Sequence, residues 1–298
     1  MLVEGPRPFP SSGDGPDPAA AELERWYRER YASFHGGRQP DLQQPRLFSE
    51  RVVARIIRDR DPQLRVYCDK LQCKAWIDSQ LGPGFQPLTL AVVEDAEALR
   101  GLDLPSRWIL KASHGSGWTR RIGPDDQPLQ AELIAQANDW LQRDYTEVNR
   151  EWAYGDLQRR LIAEEWLLDN GATAPEISVF CFAGRTPLIR LHLARSITPT
   201  ADPASWPLEC FLDGQARLLP IERPRRHHDP SLQARCWDAL PRFLELARTL
   251  TGQQEFLRID GYLCADGLRL GEITPYPYAG LGFDLDPCWD AWLGSFWD

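Results

Sequence analysis

Residues 258–274 read Arg-Ile-Asp-Gly-Tyr-Leu-Cys-Ala-Asp-Gly-Leu-Arg-Leu-Gly-Glu-Ile-Thr. Two runs, 256–264 and 268–274, flank Ala265-Asp266-Gly267, a turn signal between strands, so the stretch reads as a β-hairpin. By the two-residue period, Arg258, Asp260 and Tyr262 share one face, and Leu257, Ile259 and Leu263 the other. Folding the hairpin about Asp266 sets Asp260 nearly opposite Glu272. Opposed carboxylates repel, and three groups could offset the repulsion: Arg258, a shared proton or a divalent cation. A few carboxylates plus phosphate oxygens are what magnesium prefers. An arginine–carboxylate network accounts for the same residues, and on the hairpin alone both readings stand.

Upstream of the hairpin, 230–250 fits a long helix with Ser231 near its start and Gly252 past its end. Before it the chain is β-rich, with candidate strands at 161–167, 177–182, 187–193, 208–212 and 216–221. The first half carries helical patterning at 21–34, at a helix N-capped by Ser49 with Val52, Val53, Ile56 and Ile57 on its apolar side, and at 69–81, stopped by Gly82-Pro83-Gly84. Strands at 87–93, 107–112 and 119–122 follow, then an amphipathic helix at 129–145. Residues 1–19, rich in Pro, Gly, Ser and Asp, read as a disordered tail.

The 298 residues are 43% hydrophobic and 26% charged, with a net charge of −9. Those fractions are ordinary for a soluble globular chain of about two domains. An acidic protein whose basic clusters are as short as Arg223-Arg225-Arg226-His227-His228 or Arg120-Arg121 is not expected to bind nucleic acid. Seven cysteines without a CxxC pair read as reduced thiols. No apolar run approaches a membrane span and no signal sequence stands out, so a cytoplasmic location is expected. The tryptophans, Trp292 and Trp297 included, are assigned to packing.

Two further segments could carry chemistry. A strand ends near Lys111 and runs into Ser113-His114-Gly115-Ser116-Gly117. Glycines let backbone N–H groups approach phosphate and a lysine supplies countercharge, although an ordinary hairpin turn has the same composition. The loop is neither a Walker A motif nor a nucleophile elbow. Glu164, Glu165 and Trp166 end an apolar strand, and Glu176 follows a turn. Such glutamates can accept hydrogen bonds from an amino group or ribose hydroxyls, or simply face solvent.

The order of these segments resembles the ATP-grasp superfamily, and more narrowly its TupA-like, teichuronopeptide-biosynthesis branch. The likeness is carried by Asp69-Lys70, "LKASHGSG", "IAEEWL", "FCFAG" and "RIDGYL…LGEITPYPYAGLG", and covers roughly residue 69 onward. It implies an α+β fold in which two α+β lobes hold ATP between them, preceded by a helical region. That region would span 20–85 and the ATP-grasp lobes 86–298, with a nucleotide-covering lobe at about 105–165 and a metal-binding lobe at about 166–298.

By the same resemblance, Lys70 and Lys111 would neutralise ATP phosphates under a loop of His114, Gly115, Ser116 and Gly117. Glu164, Glu165 and the backbone of Trp166 and Leu167 would meet adenine, and Glu176 the ribose. Asp260, Glu272 and Thr274 would hold Mg2+, and Arg258 would steady the transferring phosphoryl group or an oxyanion. The implied activity is ATP-dependent ligation of a small or polymer-linked carboxylate to an amine through an acyl-phosphate, in cell-envelope polymer or peptide-conjugate assembly. An ATP-grasp phosphotransferase and an inactive nucleotide-binding protein are the alternatives. The chain departs from the pattern at Thr274, where many ATP-grasp enzymes have Asn, at Ser178, where the branch often has Lys, and in its helical N-terminal region.

Overall fold

The computed structural model describes residues 18–126, 131–169, 172–193, 208–221, 230–282 and 285–297. Helices α1 (Pro18–Phe34), α2 (Phe48–Arg58), α3 (Gln63–Cys68) and α4 (Lys70–Leu81) come first. Strands β1 (Thr89–Val93), β2 (Trp108–Ala112) and β3 (Thr119–Ile122), helices α5 (Ala131–Gln142) and α6 (Thr146–Asn149) and strand β4 (Leu161–Glu165) follow. Then come the short strands β5 (Leu168–Asp169) and β6 (Ala172–Thr173), β7 (Glu176–Phe182), β8 (Arg185–Leu193), β9 (Leu208–Leu212), α7 (Pro230–Thr251), β10 (Leu257–Cys264), β11 (Gly267–Thr274) and α8 (Pro287–Gly294).

These strands make two antiparallel sheets, of order β1-β4-β2-β3 and β11-β10-β7-β8-β9, plus the small β5-β6 ribbon. Each sheet has its own apolar core. Trp108, Leu110, Ala112 and Leu161 of the four-stranded sheet pack with Leu133, Ala137 and Trp140, the apolar stripe of α5. The five-stranded sheet is buried on both faces, which is why β7 reads as a continuous apolar run rather than an alternating one. The helices α1 to α3 add Tyr27, Tyr31, Phe48, Ile56 and Leu64 to this second core. Phe48, Phe182, Phe256 and Trp297 meet there, with the Phe256 and Trp297 rings stacked at 4.7 Å.

The apolar side of α2 is as its spacing predicts, but Ser49 is not the cap. The helix begins at Phe48, and Asp290 of α8 accepts both the Ser49 N–H (2.9 Å) and its hydroxyl (2.5 Å). Glu50 reaches back to the Leu47 and Arg46 N–H groups. A side chain 241 residues away thus satisfies a helix start that local sequence appeared to satisfy. The expected strand at 216–221 also does not form. Asp213 gathers the N–H groups of Gln215 and Arg217 into a turn, Ala216 takes φ +62°, and only the isolated bridge Leu212–Leu218 remains. Helix α3, which the sequence reading did not single out, precedes α4. The tail at 1–17 and the basic cluster at 223–228 lie outside the described residues. Cys68, Cys73, Cys181, Cys264 and Cys288 are not joined in disulfides, and no described helix is long and apolar enough to cross a membrane.

Where α8 crosses the start of α2, Gly294 lies against backbone. A Cβ there would collide with the Arg46 carbonyl and come within 2.7 Å of the Phe48 nitrogen. Gly294→Ala is therefore expected to destabilise the fold by about 3 kcal/mol, read as a lower urea midpoint with an unchanged slope.

Candidate active site

Antiparallel pairing of β2 with β4 places Lys111 opposite Ile162 and Ile109 opposite Glu164. Lys111 and Glu164 therefore share a face two residues apart, and the Lys111 ammonium donates to Glu164 Oε2. From the other side Lys74 donates to Glu164 Oε1 at 2.6 Å. Lys74 is one turn beyond Lys70 on α4, so both ammoniums project from one helix face. Helix α4 is started by Asp69, which is fully buried and accepts the N–H groups of Leu71 and Gln72. Lys70 in turn donates from its side chain to the Gly115 carbonyl and from its backbone to the Ser113 carbonyl.

Ser113 also receives its loop from behind. Its N–H donates to the Arg160 carbonyl at 2.8 Å, and its hydroxyl bridges Gln158 and Arg160. Gly115 is required by a close approach, since a Cβ would stand 2.6 Å from the Trp118 ring, and Gly117 takes φ +75°. The His114 side chain points inward. Its Nε2 donates to the Trp140 carbonyl at 2.9 Å, and burial lowers its pKa against the raising effect of that carbonyl. The structure thus brings Lys70, Lys111, Glu164 and the loop from His114 to Gly117 together, with the loop contributing its backbone and the imidazole turned inward.

Burial raises the Glu164 pKa, but the Lys111 and Lys74 ammoniums outweigh it and hold the carboxyl below its ordinary value. The folded chain then binds fewer protons than the unfolded one around the carboxylate range. The stabilisation is complete above the unfolded pKa and is lost as pH falls through the lower folded pKa. Thermal unfolding should show a fall in Tm below about pH 4, and Glu164→Gln should lower Tm at neutral pH while flattening part of that acid slope.

The hairpin of β10 and β11 has an irregularity that the alternation hid. Ile259 pairs with Ile273, but Gly261 pairs with Leu270. Gly271 and Glu272 therefore bulge together opposite Asp260, which re-aims Glu272. Asp260 is buried, and Arg258 clasps it: Nε donates to Oδ1 (2.9 Å) and Oδ2 (3.1 Å), and Nη2 to Oδ2 (2.7 Å). Nη2 also donates to the Thr274 hydroxyl at 3.2 Å. Of the three groups that could offset the Asp260 charge, the structure shows Arg258 in that role. Glu176 opens β7 opposite Tyr262 and acts electrostatically on Arg258. Among the described residues no three or more His, Cys, Asp or Glu side chains cluster to hold a metal. Each carboxylate oxygen has two acceptor positions, so Asp260 and Glu272 are the residues here that could hold a magnesium ion, with phosphate and water supplying its remaining ligands.

At the end of β4, Glu165 accepts the N–H of Leu88 with its side chain and donates its own N–H to the Leu88 carbonyl. The Trp166 ring lies under Arg121 at 5.4 Å, and its buried Nε1 has no hydrogen-bond partner among the described residues. Such a donor, beside the backbone of Trp166 and Leu167, suits a polar ligand edge.

Four residues in or beside these two groups escaped the sequence reading. Lys74 could have been found from its spacing to Lys70. Arg190 and Tyr278 come from β8 and from the 3-10 turn at Pro277–Gly280, and their hydrogen bond joins positions 88 residues apart. Glu151 is buried, and its carboxyl is pushed up to about 8, first by burial and then by Glu272. No local pattern marks it.

The four- and five-stranded sheets carry complementary chemistry, cationic around Lys111 and acidic around Asp260, and α4 packs on β11 while holding the loop after β2. Residues 50–297 match the family model described as TupA-like ATP-grasp. The chain belongs to that family. This TupA-like ATP-grasp chain is similar in structure to the ATP-grasp ligase PsnB complexed with a minimal precursor, at 14% identity and a TM-score of 0.40, over 79% of this chain and 62% of PsnB. It is also similar to L-amino acid ligase from Bacillus licheniformis (14% identity, TM-score 0.49, 78% and 50%) and to D-alanine-D-alanine ligase from Helicobacter pylori (14%, 0.40, 77% and 58%). It spans less than two thirds of the length of each of these three. No curated protein matches the chain.

Proposed function

We propose that the protein is an ATP-dependent carboxylate–amine ligase. The observation that carries the reading is the joining of two half-sites by α4. This helix contributes Lys70 and Lys74 to the cationic half with Lys111, and packs on β11, which carries Glu272 and Thr274. In this reading Lys70 and Lys111 meet ATP phosphates under the 114–117 loop, and adenine lies by Glu164, Glu165 and the backbone of Trp166 and Leu167. Glu176 takes the ribose, and Asp260 and Glu272, with Thr274 beside them, hold magnesium. The ion, when bound, neutralises phosphate charge. Arg258, fixed by Asp260, presents charge toward the transferring phosphoryl group, so catalysis is by position and electrostatics. The smaller, nucleotide-covering lobe then runs over about 105–165 together with β1, and the metal-binding lobe over about 166–298.

The family likeness supports a small or polymer-linked carboxylate and an amine as co-substrates, in cell-envelope polymer or peptide-conjugate assembly. The test is an ATP-consumption screen over amino acids and uronic acids, with hydroxylamine present and product mass recorded. An acyl-phosphate intermediate gives a hydroxamate once the right carboxylate is supplied. A stable phosphate ester on a hydroxyl acceptor instead would make the protein a phosphotransferase. ATP binding without turnover on any acceptor would make it an inactive nucleotide binder.

A further inference from the structure

Glu164 is the meeting point of three elements. It lies on β4 between Ile109 of β2 and Thr89 of β1, and Lys74 reaches it from α4 across 90 residues of sequence. The Glu164 side chain is only 5% exposed, beside Lys74 at 16% and Lys111 at 19%. A buried carboxylate needs a partner of opposite charge. One ammonium meets that need, yet Glu164 has two, one on each oxygen. Burial of the carboxylate therefore accounts for one lysine and leaves the other to be explained.

The two lysines are held unequally. Lys74 Nζ donates to Glu164 Oε1 at 2.6 Å and to the Pro87 carbonyl at 2.7 Å. Leu88, next to Pro87, is bonded twice to Glu165, so both acceptors belong to one corner of the sheet. Lys111 spends one donor on Glu164 Oε2 and makes no other hydrogen bond among the described residues, although an ammonium carries three donors. Lys74 is thus the lysine tied down, and Lys111 the one with donors left. Charge points the same way. Lys111 and Glu164 alone form a neutral pair, which gives a phosphate no net attraction. With Lys74 the group has one positive charge in excess, and both ammoniums hold the carboxyl ionised. The excess sits at Lys111, on the strand that runs straight into the 113–117 loop.

We propose that Lys74 is a positioning residue of this site: it takes up the charge of Glu164 and so leaves the Lys111 ammonium available to a phosphate group of the bound nucleotide. The assignment rests on the nucleotide reading given above. Lys74 acts through Glu164 and does not itself meet phosphate, because its ammonium is already committed to two acceptors in one corner of the sheet.

Calorimetric titration of each variant with Mg-ATP and with adenosine gives the ratio of the two affinities. That ratio reads the phosphate contribution and cancels any contact of Glu164 with adenine. Lys74→Met should lower it by roughly tenfold or more, about the worth of a charge-assisted hydrogen bond. Lys74→Arg, which keeps the charge, should hold the ratio within about threefold of wild type. Adding Glu164→Gln to Lys74→Met should restore the ratio, because the carboxylate that competes for Lys111 is then gone. A lysine that only packs α4 against the sheet predicts no such recovery. A ratio within about twofold of wild type in Lys74→Met would overturn the proposal. So would a double variant as weak as Lys74→Met, which would put Lys74 on the phosphate itself or confine it to packing. If Lys74→Met does not fold, Glu164→Gln with and without Lys74→Met decides: an unchanged ratio supports the assignment, and a further fall overturns it. Wild type that binds ATP no better than adenosine sinks the nucleotide reading itself. A clear wild-type preference beside an indifferent Lys74→Met sinks the role of Lys74 alone.

Discussion

Asp260→Asn is expected to remove the magnesium dependence of nucleotide binding and to lower ATP turnover by roughly 10²–10³-fold or more. The substitution keeps the shape and removes the charge. In the native chain the carboxylate accepts three N–H···O contacts from Arg258, at 2.9, 3.1 and 2.7 Å, in a place where Asp260 is buried and the Arg258 side chain is only 14% exposed. An amide offers one acceptor oxygen and turns its NH2 toward a guanidinium that also only donates. The pair therefore breaks as well as the metal contact, and a buried pair that loses one partner costs on the order of 3–5 kcal/mol. The two effects are separable. Calorimetry with ATP, with and without magnesium, reads the metal contact, and thermal unfolding of the ligand-free protein reads the clasp. A variant that loses stability but still binds ATP only with magnesium would show Asp260 to be a structural partner of Arg258 and nothing more.

Lys111→Ala is the second large effect. Turnover should fall by roughly 10²–10³-fold, with ATP binding weakened in parallel, while the fold persists. Persistence is expected because Glu164 keeps Lys74 at 2.6 Å when Lys111 is gone. Removing both lysines is different. Burial, the largest influence on the Glu164 carboxyl, then acts without the opposing ammoniums, and the carboxyl is driven toward its neutral form. The double variant should lose far more stability than either single one, a non-additivity that a double-mutant cycle measures directly. Unchanged ATP turnover in Lys111→Ala would remove the lysine from the phosphate site.

What could be read from sequence follows from how local each signal is. The hairpin at 258–274, the Asp69 start of α4 and its stop at Gly82 are written within a few residues, and the structure contains them. The ordered segments also disclosed the family, because order survives where spacing drifts. The bulge at Gly271 and Glu272 was hidden, since alternation continues through it on paper while the ladder slips by one residue. Ser49 misled because serine before an apolar run is a good cap signal, and only the folded chain shows Asp290 taking that place. Arg190 and Tyr278 were silent for the same reason. One sits mid-strand, the other in a turn, and neither pattern says that they meet. Nothing local in the sequence marks Glu151, whose burial is a property of the packed core.

The bond from Asp290 to the start of α2 also bears on the order in which the newly made chain can fold. The core of the four-stranded sheet draws only on residues 96–163 and nearby partners, so its parts leave the ribosome together. The other core begins at Tyr27 and is not complete without Leu293 and Trp297. During synthesis, α2 must wait with an open N-terminus and an uncovered Phe48 until α8 has been made. Helices α1 and α2, translated before either sheet, are thus sealed only once α8 has emerged, and throughout that interval chaperones have an opportunity to hold this chain.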